Sequence, residues 1–421
     1  MRILILTLLS VFTVMAGFAQ KFSTETLDEL INKGELDKAK EQVDKALANS
    51  KLNDKPEPWF YKCVVYNQIA KDEKHAALLN GADGRMEAFN AYKKYLELDP
   101  KNVRGTLNEN VWLFDIYNGY YDIAATSFNN QKFEEALANF KKAYEIEKFV
   151  ASKKFVYGTF SFPDFDTSMI QNLAAAAYKA NKLDESLGYY EQIAAAGITG
   201  DDYITIYQFL VEQYGKKNDK ANYEKYLALG QKLYPDNYYW IEVQLDACGE
   251  EVQKRLSCYE TLSQKYPDSY LLHYNYAVEL FNYAYTTEPK PADYKQIQVK
   301  LEQMLKKAKE INKESNETNL LMTRHLYNVT FDIQEEQRSI KGQTPADKKK
   351  REDLRASMMV KFDELIPYAT ACYDHYKSKK DLKASEKGNY RLVIQILADC
   401  YEMKKMPEKS DEFRAALKNV N

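Results

Sequence analysis

Apolar residues recur at spacings of three and four along most of the chain, the period of one face of an α-helix. Residues 117–150, YNGYYDIAATSFNNQKFEEALANFKKAYEIEKFV, give the clearest case. Tyr120, Ile123 and Ala124 share one face of a first helix, Asn129-Asn130-Gln131 interrupts the pattern, and Ala136, Phe140, Ala143 and Ile146 line a second helix. Small residues at 124, 136 and 143 let paired helices approach closely. The same steps, 12 residues and then 7, recur with small or apolar occupants at Leu27, Ala39 and Ala46, at Ala174, Ser186 and Ile193, and at Ala398, Ser410 and Leu417. Gly34 falls at the turn of the first of these, and Pro100, Pro235 and Pro267 follow second helices, where proline stops a helix and turns the chain onward.

With those positions in view, the sequence resembles the tetratricopeptide repeat family, whose unit of about 34 residues is a helical hairpin with small residues at helix contacts and a terminal proline. The units that match best are 20–53, 56–101, 117–150, 167–199, 203–235, 270–315 and 389–421. Residues 237–269 are about two residues short, and 317–380 carry overlong helices. Tyr95 and Tyr223 stand where the family has alanine, which alters local packing angles. The resemblance implies an all-α fold, an α-α superhelix or solenoid of about nine helical hairpins over residues 20–421, with a concave surface that binds a protein or peptide. Interruptions at 71–82, 153–166, 286–296 and 338–348 read as loop insertions, and Thr344-Pro345-Ala346-Asp347 as the start of a capped helix.

Composition agrees with continuous helices. In 421 residues there are only 15 Gly and 11 Pro, against 45% hydrophobic and 29% charged residues. A formal net charge of −3 offers no field to draw nucleic acid or anionic lipid. Residues 3–18, ILILTLLSVFTVMAGF, follow a single cation, Arg2, and read as the apolar part of a secretory signal peptide spanning 1–19, cleaved after Ala19. The expected destination is the periplasm. The first cysteine is Cys63, so a lipidated N-terminal cysteine is not expected, and no later segment approaches the ~20 apolar residues of a spanning helix. Of the five cysteines, Cys248 and Cys258 alone are close in sequence; placed at different heights on two helices, they and the other three read as small buried hydrophobes.

Catalytic and metal motifs are not found. His75, His273, His325 and His375 are scattered, and no Gly-rich phosphate loop is present. Asp164-Phe165-Asp166-Thr167-Ser168 looks like the nucleophile loop of haloacid dehalogenase-type phosphatases, but no alternation of strands and helices surrounds it, and Asp166 or Thr167 reads as the cap of a helix beginning near Ser168. Lys348-Lys349-Lys350-Arg351 reads as a solvated first helical turn. The expectation is a binding protein without enzymatic activity, metal or cofactor.

The 34 tyrosines and 19 phenylalanines are the unusual feature. Tyr92, Tyr190 and Tyr259 sit on packing faces. Phe128, Tyr178 and Phe281 lie four residues after Ala124, Ala174 and Ala277, an offset that leans toward the concave side, and Tyr121 and Tyr274 join them as candidate contacts. The alternative is that these rings fill gaps between units. The family's clamp for a C-terminal carboxylate is not matched, because the corresponding positions carry Tyr121, Ala125 and Ser168, with only Asn172 suitable. Insertion 153–166 places Phe155, Tyr157, Phe160, Phe162 and Phe165 in a loop that ordinarily would be polar, so these rings either fold back on the helices or wait for a partner. The resulting expectation is a scaffold for a protein or peptide of the cell envelope; the alternative is a small-ligand module, such as a glycan binder, with an aromatic-lined pocket.

Overall fold

The computed structural model describes residues 22–418 and 420, so the expected signal peptide and its cleavage site lie outside the described residues. Among these residues the chain is helical throughout, with one isolated bridge, Tyr157 to Phe160, as its only β pairing. It forms two compact units that divide between Leu229 and Gly230.

In the first unit, α1 (Thr24–Asn32) pairs with α2 (Leu36–Ala48), α3 (Pro56–Lys71) with α4 (Gly84–Leu98), and, after the short α5 (Val103–Leu107), α6 (Val111–Asn129) with α7 (Phe133–Lys153). Next come α8 (Thr167–Lys179) with α9 (Leu183–Ala195), then α10 (Ile204–Lys216) and the beginning of α11 (Lys220–Leu233), joined by Tyr214 stacked on Tyr226 at 5.7 Å. The second unit continues through α12 (Tyr239–Asp246), α13 (Val252–Lys265), α14 (Tyr270–Thr286), α15 (Tyr294–Ile311), α16 (Asn316–Ser339), α17 (Pro345–Ser378), α18 (Ala384–Met403) and α19 (Pro407–Leu417), each packed on its neighbour in sequence. These are the expected helical hairpins of a tetratricopeptide-like array.

The hairpins share one closing device. Gly34, Gln131, Asn181, Asn218 and Lys405 all adopt left-handed φ between 55° and 73°. One residue later the amide of Glu35, Lys132, Lys182, Asp219 or Met406 donates back to the carbonyl of Leu30, Ser127, Ala177, Tyr214 or Tyr401. This satisfies an orphan carbonyl at the helix end and reverses the chain in the same way each time. Ala39, Ala124, Ala136, Ala143, Ala174 and Ser186 are all fully buried, as the spacing predicts. Thr344 and Asp347 form a capping box, with Pro345 in the first turn of α17.

Several expectations need correction. The helix of unit 117–150 begins six residues earlier, at Val111, and that of unit 389–421 begins at Ala384. Helix α5 has no counterpart in the repeat pattern. Cys248 and Cys258 are joined by a disulfide, with Cα atoms 6.5 Å apart, rather than lying separately as buried hydrophobes. The reason is the shortness of α12: it ends at Asp246, so Cys248 falls in the turn, where it meets the second turn of α13. Cys63, Cys372 and Cys400 are free and buried, as expected.

Candidate partner-binding site

The aromatic insertion forms on α6. Tyr157 and Phe160 exchange both backbone hydrogen bonds, at 3.0 and 2.9 Å, around a tight turn that needs Gly158 at φ 58°. Two ties hold this turn to the residues before α6: Gly158 N donates to Glu109 Oε2 at 3.2 Å, and Asn110 Nδ2 donates to the Val156 carbonyl at 3.2 Å. Beneath it, Phe162 stacks on Phe114 at 5.3 Å and meets Tyr117 edge-on at 4.6 Å. The insertion therefore resolves into two populations. Phe162 is 8% exposed and Phe155 is half-buried against the core, whereas Tyr157 and Phe160 are 46% and 52% exposed, with Phe165 also exposed.

These rings continue as one run along α6. Tyr157 and Phe160 each lie 5.8 Å from Phe114, Tyr117 stacks on Tyr121 at 5.9 Å, and Tyr121 meets Phe140 of α7 at 5.6 Å. Asn172 of α8 donates to the Tyr121 hydroxyl at 3.2 Å, fixing that end of the run. Tyr121, Tyr157, Phe160 and Phe162 thus belong to one connected run of rings, of which Tyr157 and Phe160 are exposed and Phe162 is buried. The intervening rings, Phe114 and Tyr117, escaped the sequence reading; they recur with Tyr121 at helical spacing, which was a usable signal.

The remaining candidate rings lie elsewhere. Phe128 is covered by Phe133 at 5.4 Å. Tyr178 occupies the same offset in the next hairpin but remains 43% exposed, because Leu183 stands where the preceding hairpin has Phe133, and it contacts Phe209 at 5.0 Å. In the second unit, Tyr274 stacks on Tyr270 at 5.9 Å and Phe281 packs on Tyr285 at 4.8 Å, both pairs one turn apart on α14.

An acid lies under the aromatic run. Glu147 of α7 is 2% exposed, and its Oε2 has no hydrogen-bond partner among the described residues. Burial, and then the negative charge of Asp166, push its carboxyl up to about 8, partly offset by the Tyr117 hydroxyl. Asp166 itself caps α8, accepting from Met169 N at 3.0 Å, which is the helix-cap role expected for the Asp164–Ser168 segment. No group of three or more His, Cys, Asp or Glu residues suited to a metal ion occurs among the described residues.

No family model and no curated protein matches the chain in sequence. Among solved structures it is similar to a TPR repeats protein from Bacteroides fragilis NCTC 9343, at 12% identity over 71% of this chain and 98% of that one, with a TM-score of 0.28. It is also similar to the P58(IPK) TPR domain, at 12% identity over 89% and 97% of the two chains and a TM-score of 0.26. The apo quorum sensor NprR from B. thuringiensis shows 14% identity over 94% and 97%, with a TM-score of 0.22. At such scores the likeness carries no weight, and the fold rests on the hairpins of the chain itself.

Proposed function

We propose that this chain is an exported scaffold of the periplasm or cell envelope that binds a protein or peptide partner and performs no chemistry on it. One observation carries the reading: Tyr157 and Phe160 are exposed yet held in place by a buried ring stack and two hydrogen-bonded ties. Large aromatic side chains that are already ordered lose little entropy on binding, so they make efficient interface anchors. Their open faces suit a protein surface better than a glycan, which would favour an enclosed pocket.

Export is supported by the apolar stretch after Arg2 and by the Cys248–Cys258 disulfide, a bond that persists in oxidising compartments. No helix among the described residues is long and apolar enough to cross a membrane. Photocrosslinking tests the site. With p-benzoylphenylalanine in place of Phe160, a discrete adduct forms in envelope extracts; with the same group at Val299, an exposed position on α15, it does not. Equal labelling at both positions overturns the proposal.

A further inference from the structure

A second site lies in the first unit, on residues that the repeat pattern does not account for. Helices α1, α3, α5 and α6 enclose a cleft of ≈670 Å³ whose wall includes Asp28, Ile31, Phe60, Tyr61, Arg104 and Trp112. The short helix α5 is anchored by a buried polar network. Tyr92 donates to Asn102 Oδ1 at 3.0 Å, and Asn102 Nδ2 donates to Asn110 Oδ1 at 2.7 Å, with both asparagines in the left-handed region. Asp99 caps Val103 N at 2.9 Å, and the Tyr95 hydroxyl accepts from Arg104 N at 2.9 Å. Gly105 is obligatory here, since a Cβ would lie 2.0 Å from Asn102 Oδ1 and 2.1 Å from the Tyr92 hydroxyl. Such a network fixes a unique local conformation.

The conformation presents Arg104 to the cleft. Its Cζ lies 5.4 Å from the Tyr61 ring centroid and 5.9 Å from that of Phe60, so aromatic faces hold the guanidinium. No carboxylate among the described residues pairs with it. Nearby acids are engaged otherwise: Asp115 by Lys71 and Asn67, and Asp72 by His75 and Lys74 N. Among the described residues Asp28 accepts the Tyr61 hydroxyl, at 2.8 Å, and no cation pairs with it. Trp112 lines the same wall, and its Nε1 is buried with no acceptor among the described residues. Among the described residues the cleft therefore holds a cation and a carboxylate that lack ion-pair partners, both against Tyr61, together with apolar walls.

We propose that this cleft binds a small zwitterion of the amino-acid or dipeptide class. The planar guanidinium of Arg104 takes the ligand carboxylate. Asp28 takes the ammonium, and Phe60 and Ile31 receive an apolar side chain. A dianionic phosphate is disfavoured, because Asp28 and Asp72 would repel it.

The test uses the mature chain with glycyl-L-phenylalanine, its C-terminal amide and its N-acetyl derivative, by isothermal titration. Selective ¹⁵N labelling of tryptophan follows the three indole signals, with Trp112 assigned through Trp112→Phe. The dipeptide shifts the Trp112 indole signal, and amidation or acetylation each weakens binding tenfold or more. Arg104→Gln removes the discrimination against the amide, and Asp28→Asn removes that against the acetylated form. Arg104→Lys, which keeps the charge, retains part of the preference for the acid and controls for loss of the ring contacts. The proposal is overturned by equal binding of dipeptide and amide, by discrimination that survives Arg104→Gln, or by an unmoved Trp112 signal at millimolar dipeptide.

Discussion

Replacing Glu147 by glutamine removes the carboxyl titration buried under the aromatic run while keeping the side chain's shape. In the folded chain the carboxyl is pushed up to about 8 from an ordinary 4.5, so the folded state holds a proton that the unfolded state releases. Its contribution therefore becomes steadily less favourable as pH rises from 4.5 to 8, and it is constant outside that window. At about 1.4 kcal/mol for each tenfold change in proton affinity, the penalty approaches ~3 kcal/mol at pH 7 against ~1 kcal/mol at pH 5. Solvent relaxation around the carboxyl reduces these figures, leaving a gain from Glu147→Gln that grows by roughly 1–2 kcal/mol between pH 5 and pH 8. Urea denaturation followed by far-ultraviolet circular dichroism, run on both proteins at pH 5, 6, 7 and 8, measures the difference directly and cancels titrating groups that do not interact with Glu147. A difference that stays level across those pH values refutes the argument.

Other expectations follow from particular contacts. Ala136→Leu overpacks the α6–α7 contact and costs about 1–3 kcal/mol in the same denaturation assay. Phe162→Ala removes the ring stacked on Phe114 and costs about 3–5 kcal/mol, whereas Phe160→Ser, at an exposed ring, leaves the melting temperature close to that of the parent protein. Glu302 is held well below the usual carboxylate range by His325 and then by Lys306 and Lys361, so the stability it adds is present above pH 4.5 and fades as pH falls further; Glu302→Gln flattens that acid limb of the stability profile. Mass analysis of the recovered protein gives an N-terminus at Gln20 and, without reductant, a peptide linked through Cys248 and Cys258; an intact Met1 contradicts the export reading.

The hairpin array was legible because its logic is local. Ala124, Ala136 and Ala143 mark close helix approach by spacing alone, and the turn at Gly34 carries its own backbone requirement. What escaped depends on distant partners. The division of the 153–166 rings into buried and exposed sets is decided by Phe114 and Tyr117, far back on α6. Helix α5 owes its shape to hydrogen bonds among Tyr92, Asn102 and Asn110, and polar networks of this kind leave no hydrophobic period to read. The disulfide was missed through a helix length: α12 stops after eight residues, which moves Cys248 off the helix and within reach of Cys258. Tyr121 belongs to the same run of rings as the insertion, but the link passes through Tyr117 and emerges only from the ring geometry.

In the function proposed here, fixed, exposed rings on the α6 insertion capture a partner protein. Quantitative affinity purification of the mature chain from envelope extracts, beside a Tyr157→Ser, Phe160→Ser variant of equal melting temperature, tests it most directly. A discrete protein is retained by the parent chain and lost from the variant. The same protein recovered in equal amount with both contradicts it.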